Sequence, residues 1–513
     1  MVNNRYHVSL LLRRALKPEM DHFPALDQFR LLHSQYDLVP VYRRLVSDAL
    51  TPVSAFHKLD DGEPACLFES VIGGEKVGRY SFLAFRPHRQ LSATRDQVTI
   101  SSPDSSQTFQ CKDPLNELRQ HVSSIRVAHL SDLPPFTGGA VGYAAYDVVR
   151  YCEHLPDAPH DDRQVPDLWF GFYDQMVVFD NVSKTMTVVA LANCNQTNPD
   201  EAYRSACHRV DEMVERLSNA KVNLVPADIS TTDDDDIEYR SNFEKNEFEN
   251  AVRRCVEYIE AGDIFQVVIS QRLEVDFQHN PFEVYRTLRV INPSPFMFFL
   301  RTNDVTLVGS SPEIMCRVME NEVTVRPLAG TRPRGTTEEE DAALTKDLLA
   351  DPKERAEHVM LVDLGRNDVG RVAEYGSVKL TDVMTVERYS HVMHITSNVT
   401  GQLQQGMDAF DALAACLPAG TVSGAPKVRA MEIIDQLEPH RRGPYAGAIG
   451  YIDYRGNMDT CIALRTIVFH NGLAHVQAGA GIVADSIPEN EYQETLNKAR
   501  GLLKAIRVTQ NRH

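Results

Sequence analysis

The sequence predicts a mixed fold of α-helices and β-strands. Residues 168–180 and 182–190 are apolar stretches joined by an Asp-Asn turn, which is the pattern of an antiparallel hairpin. Residues 243–261 repeat apolar side chains such as Phe248 and Val252 at helical spacing, which predicts an amphipathic helix. The second half of the chain alternates helical segments with short apolar strands, so neither type of element dominates.

The chain divides into two large regions at an acidic stretch. Residues 39–230 include the Gly-rich run PPFTGGAVGYAAYD, which predicts a loop leading into a strand, and residues 240–508 hold most of the motifs below. The aspartates at 233–236 follow turn-forming residues and predict a solvated linker rather than a metal site. Residues 1–38 are an N-terminal extension that begins with an expected ordinary helix and only faintly resembles a targeting segment.

Composition and charge exclude several classes of protein. The 513 residues are 43% hydrophobic and 24% charged, which is ordinary for a globular protein. The formal net charge of -18 disfavours nucleic-acid binding, which needs a basic face. The richest apolar run, residues 296–300, is far shorter than the roughly 18 residues of a membrane span. Nine dispersed cysteines without a CxxC pair predict reduced thiols and a cytoplasmic protein.

The run GAGIVA at residues 479–484 fits the GxGxxA pattern of a dinucleotide-binding turn. That interpretation also needs a second strand and an acidic residue about 20 positions further on, and no Asp or Glu follows Glu494. We therefore reject a nicotinamide-dependent dehydrogenase. The glycines can still let backbone N–H groups approach an anion near a helix N-terminus. Ser486 with Glu489 predicts a capping box there, and Pro488 suits the first turn.

Two Glu-x-x-Glu pairs lie on predicted helices. Glu491 and Glu494 share one face of the helix after the glycine run, and Glu354 and Glu357 repeat the spacing on an earlier helix. Two such pairs could supply the hard oxygen ligands that suit Mg²⁺. Each pair alone also fits an ordinary solvated helix face.

Four further residues are candidates for chemistry. His391 and His394 could bind a transition metal, but no third ligand is close, so one histidine acting in proton transfer fits better. Glu313, in GSSPEIM, could be a carboxylic acid kept protonated for work on a leaving group, although an ordinary surface Glu has the same residue type. Arg465 lies in the strand-like run CIALRTIVF and needs an anionic partner there, either an internal carboxylate or a substrate.

Taken together, these segments resemble the chorismate-utilising enzyme family across residues 240–508. The resemblance is carried by the runs IFQVVISQR, PLAGTRPRG, EHVMLVDLGRND, HVMHITSNVTG, PAGTVSGAPKVRAMEII, PYAGAIGY and QAGAGIVADSIPENEYQET. The first half resembles the amino-terminal region of the anthranilate synthase large subunits through PVYRRLVSDALTPVSAF and FESVIGGEKVGRYSFL. The resemblance implies an α+β fold, the chorismate-binding enzyme fold, with two large β-sheets packed on each other and helices outside.

Two positions separate the chemistries within this family. In relatives that add water to chorismate, a Lys serves as base where this chain has Gln266, and glutamine cannot deprotonate water. In aminodeoxychorismate synthases a Lys nucleophile occupies the position of Ala329, which offers no nucleophile. The resemblance therefore implies direct attack by ammonia and an anthranilate product. A catalytically inactive tryptophan sensor on the same scaffold is the alternative from another class.

The resemblance also implies a set of site residues. Mg²⁺ is expected at Glu357 and Glu494, with Glu354 and Glu491 in support. The catalytic residues are expected to be Glu313 as acid, His394 in pyruvate loss and Gln266 at the nucleophile position. The substrate-binding residues are expected to be Gly330, Thr331, Tyr445, Arg465, Gly479, Ala480, Gly481 and Lys498.

A partner and a regulator follow from the same resemblance. No nucleophilic-Cys elbow of the glutaminase type is visible, so we expect a separate glutamine amidotransferase subunit that supplies ammonia, and hence a hetero-oligomer. Ser70 in LFES, and Pro295, Phe296 and Met297 in NPSPFMFF, match the pocket through which tryptophan inhibits family members. Core packing is the alternative role for these four residues.

Overall fold

The structure is a computed structural model that describes residues 22–70, 78–195, 198–220, 224, 237–389 and 392–512. The predicted N-terminal helix, the acidic linker at 233–236 and His391 lie outside the described residues. All nine cysteines are free thiols, as the sequence predicts. None of the helices that the structure describes combines the length and the apolar surface that a bilayer crossing requires.

Two antiparallel sheets of twelve strands each form the centre of the molecule. Sheet A has the order β1-β10-β9-β3-β2-β13-β14-β23-β24-β12-β11, with β20 also paired to β12. Its strands are β1 (Leu38–Val46), β2 (Ala65–Glu69), β3 (Tyr80–Phe85), β9 (Gln175–Asp180), β10 (Thr185–Asn193), β11 (Arg240–Ser241), β12 (Gln266–Asp276), β13 (Phe296–Arg301), β14 (Thr306–Ser311), β20 (Gly424–Ala425), β23 (Thr466–His470) and β24 (Leu473–Ile482).

Sheet B has the order β17-β19-β16-β15-β22-β21-β7-β8-β4-β5-β6, with β18 also paired to β19. Its strands are β4 (Arg89–Thr94), β5 (Gln97–Ser102), β6 (Ser105–Gln110), β7 (Gly139–Ala144), β8 (Leu168–Tyr173), β15 (Ile314–Met319), β16 (Glu322–Val325), β17 (Leu328–Pro333), β18 (Lys379–Arg388), β19 (Val392–Gln402), β21 (Ala448–Asp453) and β22 (Met458–Ile462). The Gly-rich run therefore feeds a strand, β7, as predicted.

The helices cover the outer faces of the sheets. They are α1 (Leu26–His33), α2 (Pro52–Leu59), α3 (Pro114–Ser123), α4 (Pro199–Asn219), α5 (Lys245–Glu260), α6 (Pro281–Ile291), α7 (Glu338–Ala350), α8 (Pro352–Gly370), α9 (Ala409–Cys416), α10 (Lys427–Leu437) and α11 (Pro488–Gln510). Four of them, α3, α4, α6 and α8, begin with an Asp or Asn cap followed by proline, which satisfies a free N–H group and presets the first turn. The helix predicted at 243–261 is α5.

The two sheets pack face to face around a shared apolar core. Phe82 and Phe298 of sheet A meet Tyr143, Trp169 and Tyr451 of sheet B in one buried cluster. A second cluster packs α2, α4, α6 and α11 on the outside of sheet A, and a third packs α3, α8 and α9 on the outside of sheet B. The predicted α+β fold of two packed sheets with helices outside is confirmed.

In each sheet the strands of the first region form one half and those of the second region form the other. In sheet A, β2 of the first region pairs with β13 of the second, and in sheet B, β7 pairs with β21. Regions 39–230 and 240–508 thus share their sheets and the core between them.

Among the described strands, the chain passes from one sheet to the other six times: between β3 and β4, β8 and β9, β14 and β15, β19 and β20, β20 and β21, and β22 and β23. The sequence predicts one strand at 168–180 and another in CIALRTIVF. Both predictions are wrong, because each segment is divided between two strands that belong to different sheets. Apolar runs buried on both faces carry no period that reveals such a crossing. The predicted hairpin itself is confirmed as β9 and β10.

Candidate active site

Two of these crossings, between β14 and β15 and between β22 and β23, bring an acid and an arginine together. Glu313 lies between β14 and β15, and Arg465 lies between β22 and β23. Ser310 donates its backbone N–H to the Arg465 carbonyl at 3.1 Å, and Ile462 donates to the Glu313 carbonyl at 3.0 Å. Backbone hydrogen bonds therefore fix both residues where the sheets separate.

Glu313 is held as a neutral acid. Its side chain is 5% exposed, and burial raises the pKa of its carboxyl to about 8. The Thr421 hydroxyl and the Leu328 N–H face the carboxyl and oppose this shift only in part. Because a charged carboxylate is costly to bury, Glu313 keeps its proton at neutral pH.

Arg465 is a half-buried cation. Burial lowers the pKa of its guanidinium, and among the described residues no carboxylate forms an ion pair with it. Its φ of 47° places it in the left-handed region that the turn between the sheets requires. An uncompensated half-buried guanidinium favours an anionic ligand, so Arg465 is suited to bind a carboxylate.

His394 is held in one tautomer with a free nitrogen. It lies on β19 opposite β17, where Gly330 (φ 68°) forms a bulge that a side chain would strain. His394 Nδ1 lies 3.0 Å from both the Gly330 carbonyl and the Thr331 hydroxyl. A carbonyl can only accept, so Nδ1 carries the proton and Nε2, which has no partner within the described part of the chain, keeps its lone pair.

Electrostatic effects on His394 show which groups share its pocket. Burial, together with the charges of Arg465 and Lys498, lowers the pKa of its imidazole to about 4. His394 is therefore neutral at physiological pH and can accept a proton at Nε2. The imidazole, the arginine and the lysine lie around one polar space.

The four predicted metal-binding glutamates lie on two helices that face this space. Glu354 and Glu357 occupy the first turns of α8, and Glu491 and Glu494 those of α11. Their partners are cations and an amide: Arg332 lies 3.1 Å from Glu354, Gln266 Nε2 lies 3.3 Å from Glu357, and Lys498 lies 2.7 Å from Glu494.

These carboxylates repel one another enough to favour a cation. Burial raises the pKa of the Glu357 carboxyl, and the charges of Glu354 and Glu494 raise it further. Burial and the charge of Glu494 likewise raise the pKa of Glu491. Within the described ranges no three acidic, His or Cys side chains are already gathered around one point. Mg²⁺ needs only one or two protein carboxylates with water and substrate oxygens, so the residues fit it.

The glycine run lies inside β24 rather than in a turn before a helix. Val268 and Ser270 of β12 lie opposite Gly481 and Gly479, and their N–H groups donate to acceptors on the far side of β12. Two residues that lie opposite each other in an antiparallel ladder either both point their backbone groups toward each other or both point them away. Since Val268 and Ser270 point away from β24, both glycines turn their amides away from β12. The pairing of β24 with β23 ends at Val476, before the glycines. Lys498 Nζ donates to the Gly479 carbonyl at 3.0 Å.

Three residues near the two glycines, Ala480, Tyr445 and Gln266, differ in which of their polar groups are already hydrogen-bonded. Ala480 lies opposite Ile269 and turns its backbone into the β12 ladder, so its amide is engaged there. Tyr445 is buried with its hydroxyl against Gly479, where a Cβ atom would come within 3.0 Å of it. Gln266, at the start of β12, is 4% exposed, and its Oε1 has no donor within the described structure.

The capping box predicted at Ser486 and Glu489 is wrong. The N-cap of α11 is Ile487, without a side-chain cap, while Pro488 takes the first position as predicted. The Ser486 hydroxyl accepts from the Val483 N–H at 3.0 Å, and Glu489 pairs with a lysine of α5. The tertiary contact with α5 outweighs the local capping pattern.

The four residues predicted for tryptophan line one cavity between the sheets. This inter-sheet cavity has a volume of about 400 Å³, within the range of small-molecule sites. Ser70, Pro295, Phe296 and Met297 form its sheet A side, and residues of β15, β21 and β22 form its sheet B side. The buried Ser70 hydroxyl has no partner within the described residues.

Sequence reasoning missed two residues of the site. Thr421 lies beside the Glu313 carboxyl, and both line a cavity of about 30 Å³. The Tyr389 ring packs edge-on against the His394 ring with their centroids 5.5 Å apart. Glu313 and Arg465 lie close enough to Tyr389 to affect the pKa of its hydroxyl. Neither residue has a spacing or motif that marks it, because only tertiary contacts bring them to the site.

Comparison with known proteins defines the class to which this fold and site correspond. The sequence profile described as chorismate binding enzyme matches residues 63–504, and the chain belongs to this family. The resemblance to chorismate-utilising enzymes that the motifs carry is thereby confirmed.

Individual relatives show which members of the family the chain is similar to. The chain is 48% identical to anthranilate synthase component 1 of Pseudomonas aeruginosa and 45% identical to that of Acetivibrio thermocellus, each over 94% of this chain and 98% of the relative. Anthranilate synthase component I of Streptococcus pneumoniae superimposes with a TM-score of 0.74 at 38% identity, covering 90% of this chain and 98% of that chain. The menaquinone-specific isochorismate synthase of Escherichia coli shares the fold, with a TM-score of 0.66 at 19% identity over 94% of this chain and 99% of that one.

Proposed function

We propose that the protein converts chorismate and ammonia into anthranilate and pyruvate for tryptophan biosynthesis. The observation that carries the proposal is the grouping of a neutral buried acid, a free imidazole nitrogen and an uncompensated arginine at Glu313, His394 and Arg465. The relatives named anthranilate synthase component 1 support the choice of reaction within the family.

Chorismate is a dicarboxylate, and the site offers cations for both of its charged groups. Arg465 and Lys498 bind the two carboxylates, and the outward amide of Gly481 adds an N–H donor, while the Gly479 N–H faces the Tyr445 hydroxyl. Gly330, Thr331, Tyr445 and Ala480 shape the remaining wall. Such positioning accounts for much of catalysis when the product is aromatic and the second step is strongly downhill.

Glu357 and Glu494 would hold Mg²⁺, with Glu354 and Glu491 in support. When bound, the ion would coordinate the ring carboxylate of chorismate and neutralise the negative charge of that carboxylate. Lys498 and Gln266, which contact Glu494 and Glu357 in the structure, keep these carboxylates facing the substrate space.

In the first step Glu313 donates its proton to the 4-hydroxyl of chorismate. The C4–O bond breaks and water leaves, while the electron pair of ammonia forms a bond to C2 and the ring double bonds shift. Gln266 Oε1, which lacks a donor, accepts an N–H of the entering ammonia. The pKa of about 8 keeps Glu313 in the form that can give a proton.

In the second step His394 Nε2 takes the proton from C2 of the amino intermediate. The C3–O bond breaks with its electron pair leaving on the oxygen, the ring becomes aromatic, and the released pyruvate enolate takes up one proton at carbon, equivalent to the one that left C2, to become pyruvate. The bond from Nδ1 to the Gly330 carbonyl holds the imidazole in the tautomer that this step needs.

A separate glutamine amidotransferase subunit would supply the ammonia, and tryptophan would inhibit by binding in the inter-sheet cavity. The name component 1 borne by the relatives supports a second component. The cavity supports the regulatory proposal because its volume and mainly apolar walls suit an indole side chain, and the Ser70 hydroxyl can bond a polar group.

The test is a fluorescence assay for anthranilate with purified chain, chorismate, Mg²⁺ and a high ammonium concentration at mildly alkaline pH. We expect fluorescence that disappears with chelator and decreases on addition of tryptophan. Chorismate consumed without fluorescence would indicate an aminodeoxy product instead. No consumption at all would favour the inactive sensor.

A further inference from the structure

A small polar cavity adjoins the carboxyl of Glu313, and we refer to it as the Glu313 cavity. Its volume of about 30 Å³ has room for about two water molecules. Glu313, Thr421 and Asp368 supply its acidic and hydroxyl side chains, and Asp368 comes from the last turn of α8. The residues assigned to chorismate and to Mg²⁺, all of which the structure describes, do not line it. The cavity therefore reaches Glu313 from a side that the substrate does not occupy.

A lysine connects the acid of this cavity to the surface. Asp368 is 4% exposed, and Lys427, the first residue of α10, places its Nζ 2.8 Å from Asp368 Oδ1. The Lys427 side chain is 12% exposed, so it touches both the solvent and the buried carboxylate. Arg371 is a second cation whose charge acts on Asp368, whereas Arg326 in the cavity wall is paired with Glu387.

The groups around the cavity can hold and pass a proton. Burial raises the pKa of the Asp368 carboxyl, although the charges of Lys427 and Arg371 oppose this shift. The buried Thr421 Oγ1 lies close enough to Glu313 to affect its pKa, but it makes no well-aligned hydrogen bond to any described residue. Water in the cavity satisfies such a hydroxyl, which can both donate and accept. Water and Thr421 together can carry a proton between Asp368 and Glu313.

Each turnover of the proposed reaction leaves Glu313 without its proton. Glu313 is 5% exposed, and the amino intermediate occupies the substrate side after the first step. We propose that Asp368 and Lys427 return a proton to Glu313 through water in the Glu313 cavity. The inference rests on the proposed function, and it gives Asp368 and Lys427 a role that acts through Glu313 without contact with chorismate.

The proton transfers balance over one cycle. The Lys427 ammonium gives a proton to the Asp368 carboxylate, Asp368 gives one to a cavity water, and that water gives one to the Glu313 carboxylate. Each new O–H bond replaces one N–H or O–H bond that breaks, and Lys427 takes up a proton from solvent. The ammonium group formed when ammonia bonds to C2 releases one proton to solvent, so the cycle consumes none.

The experiment compares the first turnover of the purified full chain with the later ones. Asp368→Asn keeps the size of the side chain but cannot pass on a proton. The matched control is Asp435→Asn, because Asp435 is also buried and lies 2.7 Å from Arg150 in an ion pair but does not line the cavity. The protein is mixed rapidly with chorismate, Mg²⁺ and high ammonium at neutral pH, and anthranilate fluorescence is followed in H₂O and in D₂O. Lys427→Met, which removes the contact with solvent, is the second variant.

We expect Asp368→Asn to form about one anthranilate per chain at the wild-type rate and then to continue at least about tenfold more slowly. The first turnover is kept because burial, the Thr421 hydroxyl and the Leu328 N–H set the pKa of Glu313, which starts protonated. D₂O should slow the later phase about twofold more than it slows the wild type, since proton transfer limits that phase. Asp435→Asn should show neither effect.

Equal slowing of the first and later turnovers would overturn the inference, because a structural role affects both. Later turnovers of Asp368→Asn at the wild-type rate would overturn it as well. If Asp368→Asn does not fold, the same two criteria apply to Lys427→Met, whose buried Asp368 can become neutral by taking up a proton. A wild type that makes no anthranilate from ammonia would instead refute the proposed function.

Discussion

The candidate active site and the inter-sheet cavity use the same two strands but differ in electrostatics. Glu313 directly precedes β15 and Arg465 follows β22, at the ends where the chain crosses between sheets. In the middle of the same strands, Arg317 and Asp459 form an ion pair at 2.9 Å and line the cavity. Arg317 and Asp459 thus compensate each other's charge where the sheets pack. Arg465, where the sheets separate, has no carboxylate partner among the described residues.

This difference supports the proposal that the chemistry takes place at the candidate active site. A neutral buried acid and a cation without a counter-ion cost stability and persist only where a ligand or reaction uses them. The paired charges and apolar walls of the cavity suit binding without bond making. The substitutions below test this contrast, in order of their expected effect on turnover.

Glu494→Ala should have the largest effect. Removing one of two carboxylates proposed to hold Mg²⁺ should lower turnover by about 10³-fold or more while circular dichroism stays unchanged. The matched control is Glu489→Ala on the same helix, whose carboxylate has Lys245 at the surface as its one ion-pair partner among the described residues. Undiminished Mg²⁺-dependent turnover of Glu494→Ala would remove the metal assignment.

His394→Ala should slow pyruvate loss by about 10²- to 10⁴-fold, the usual contribution of a general base. Ammonia addition does not need Nε2, so the amino intermediate should accumulate and be detected by chromatography of quenched reactions. If chorismate is simply left unconsumed, His394 acts in the first step rather than the second.

Glu313→Gln should slow ammonia addition by about 10²-fold, because glutamine cannot donate the proton to the leaving hydroxyl. In the wild type, the neutral acid is the active form and the raised pKa of about 8 preserves it at neutral pH. The rate of the first step should therefore decrease as the pH rises through about 8, in single-turnover measurements at saturating ammonia. A variant that keeps this alkaline limb would show that another group titrates.

Ser70→Arg should leave turnover nearly unchanged and relieve inhibition. The arginine would fill the inter-sheet cavity, so the tryptophan concentration for half inhibition should increase about tenfold or more. Calorimetric titration with tryptophan distinguishes lost binding from lost coupling. An inhibition curve identical to that of the wild type would place the effector elsewhere.

The helical placement of the proposed metal-binding residues could be predicted because it depends on a short local pattern. The spacing of Glu354–Glu357 and Glu491–Glu494 predicts one face of a helix, and both pairs do lie in the first turns of helices, whereas their assignment to one site came from the family resemblance. The helix cap could not be predicted in the same way, since Ser486 and Glu489 have the right spacing but are engaged by other partners.

The sequence by itself determined the residue types, the helical faces and the family to which the chain belongs. Only the tertiary structure decided where a continuous apolar run leaves one sheet for the other, and hence that Glu313 and Arg465 meet. It also decided that Thr421 and Tyr389 join the site. The reason is physical: local pattern reports which side of an element is apolar, whereas the partner that covers each side is chosen by packing between distant segments.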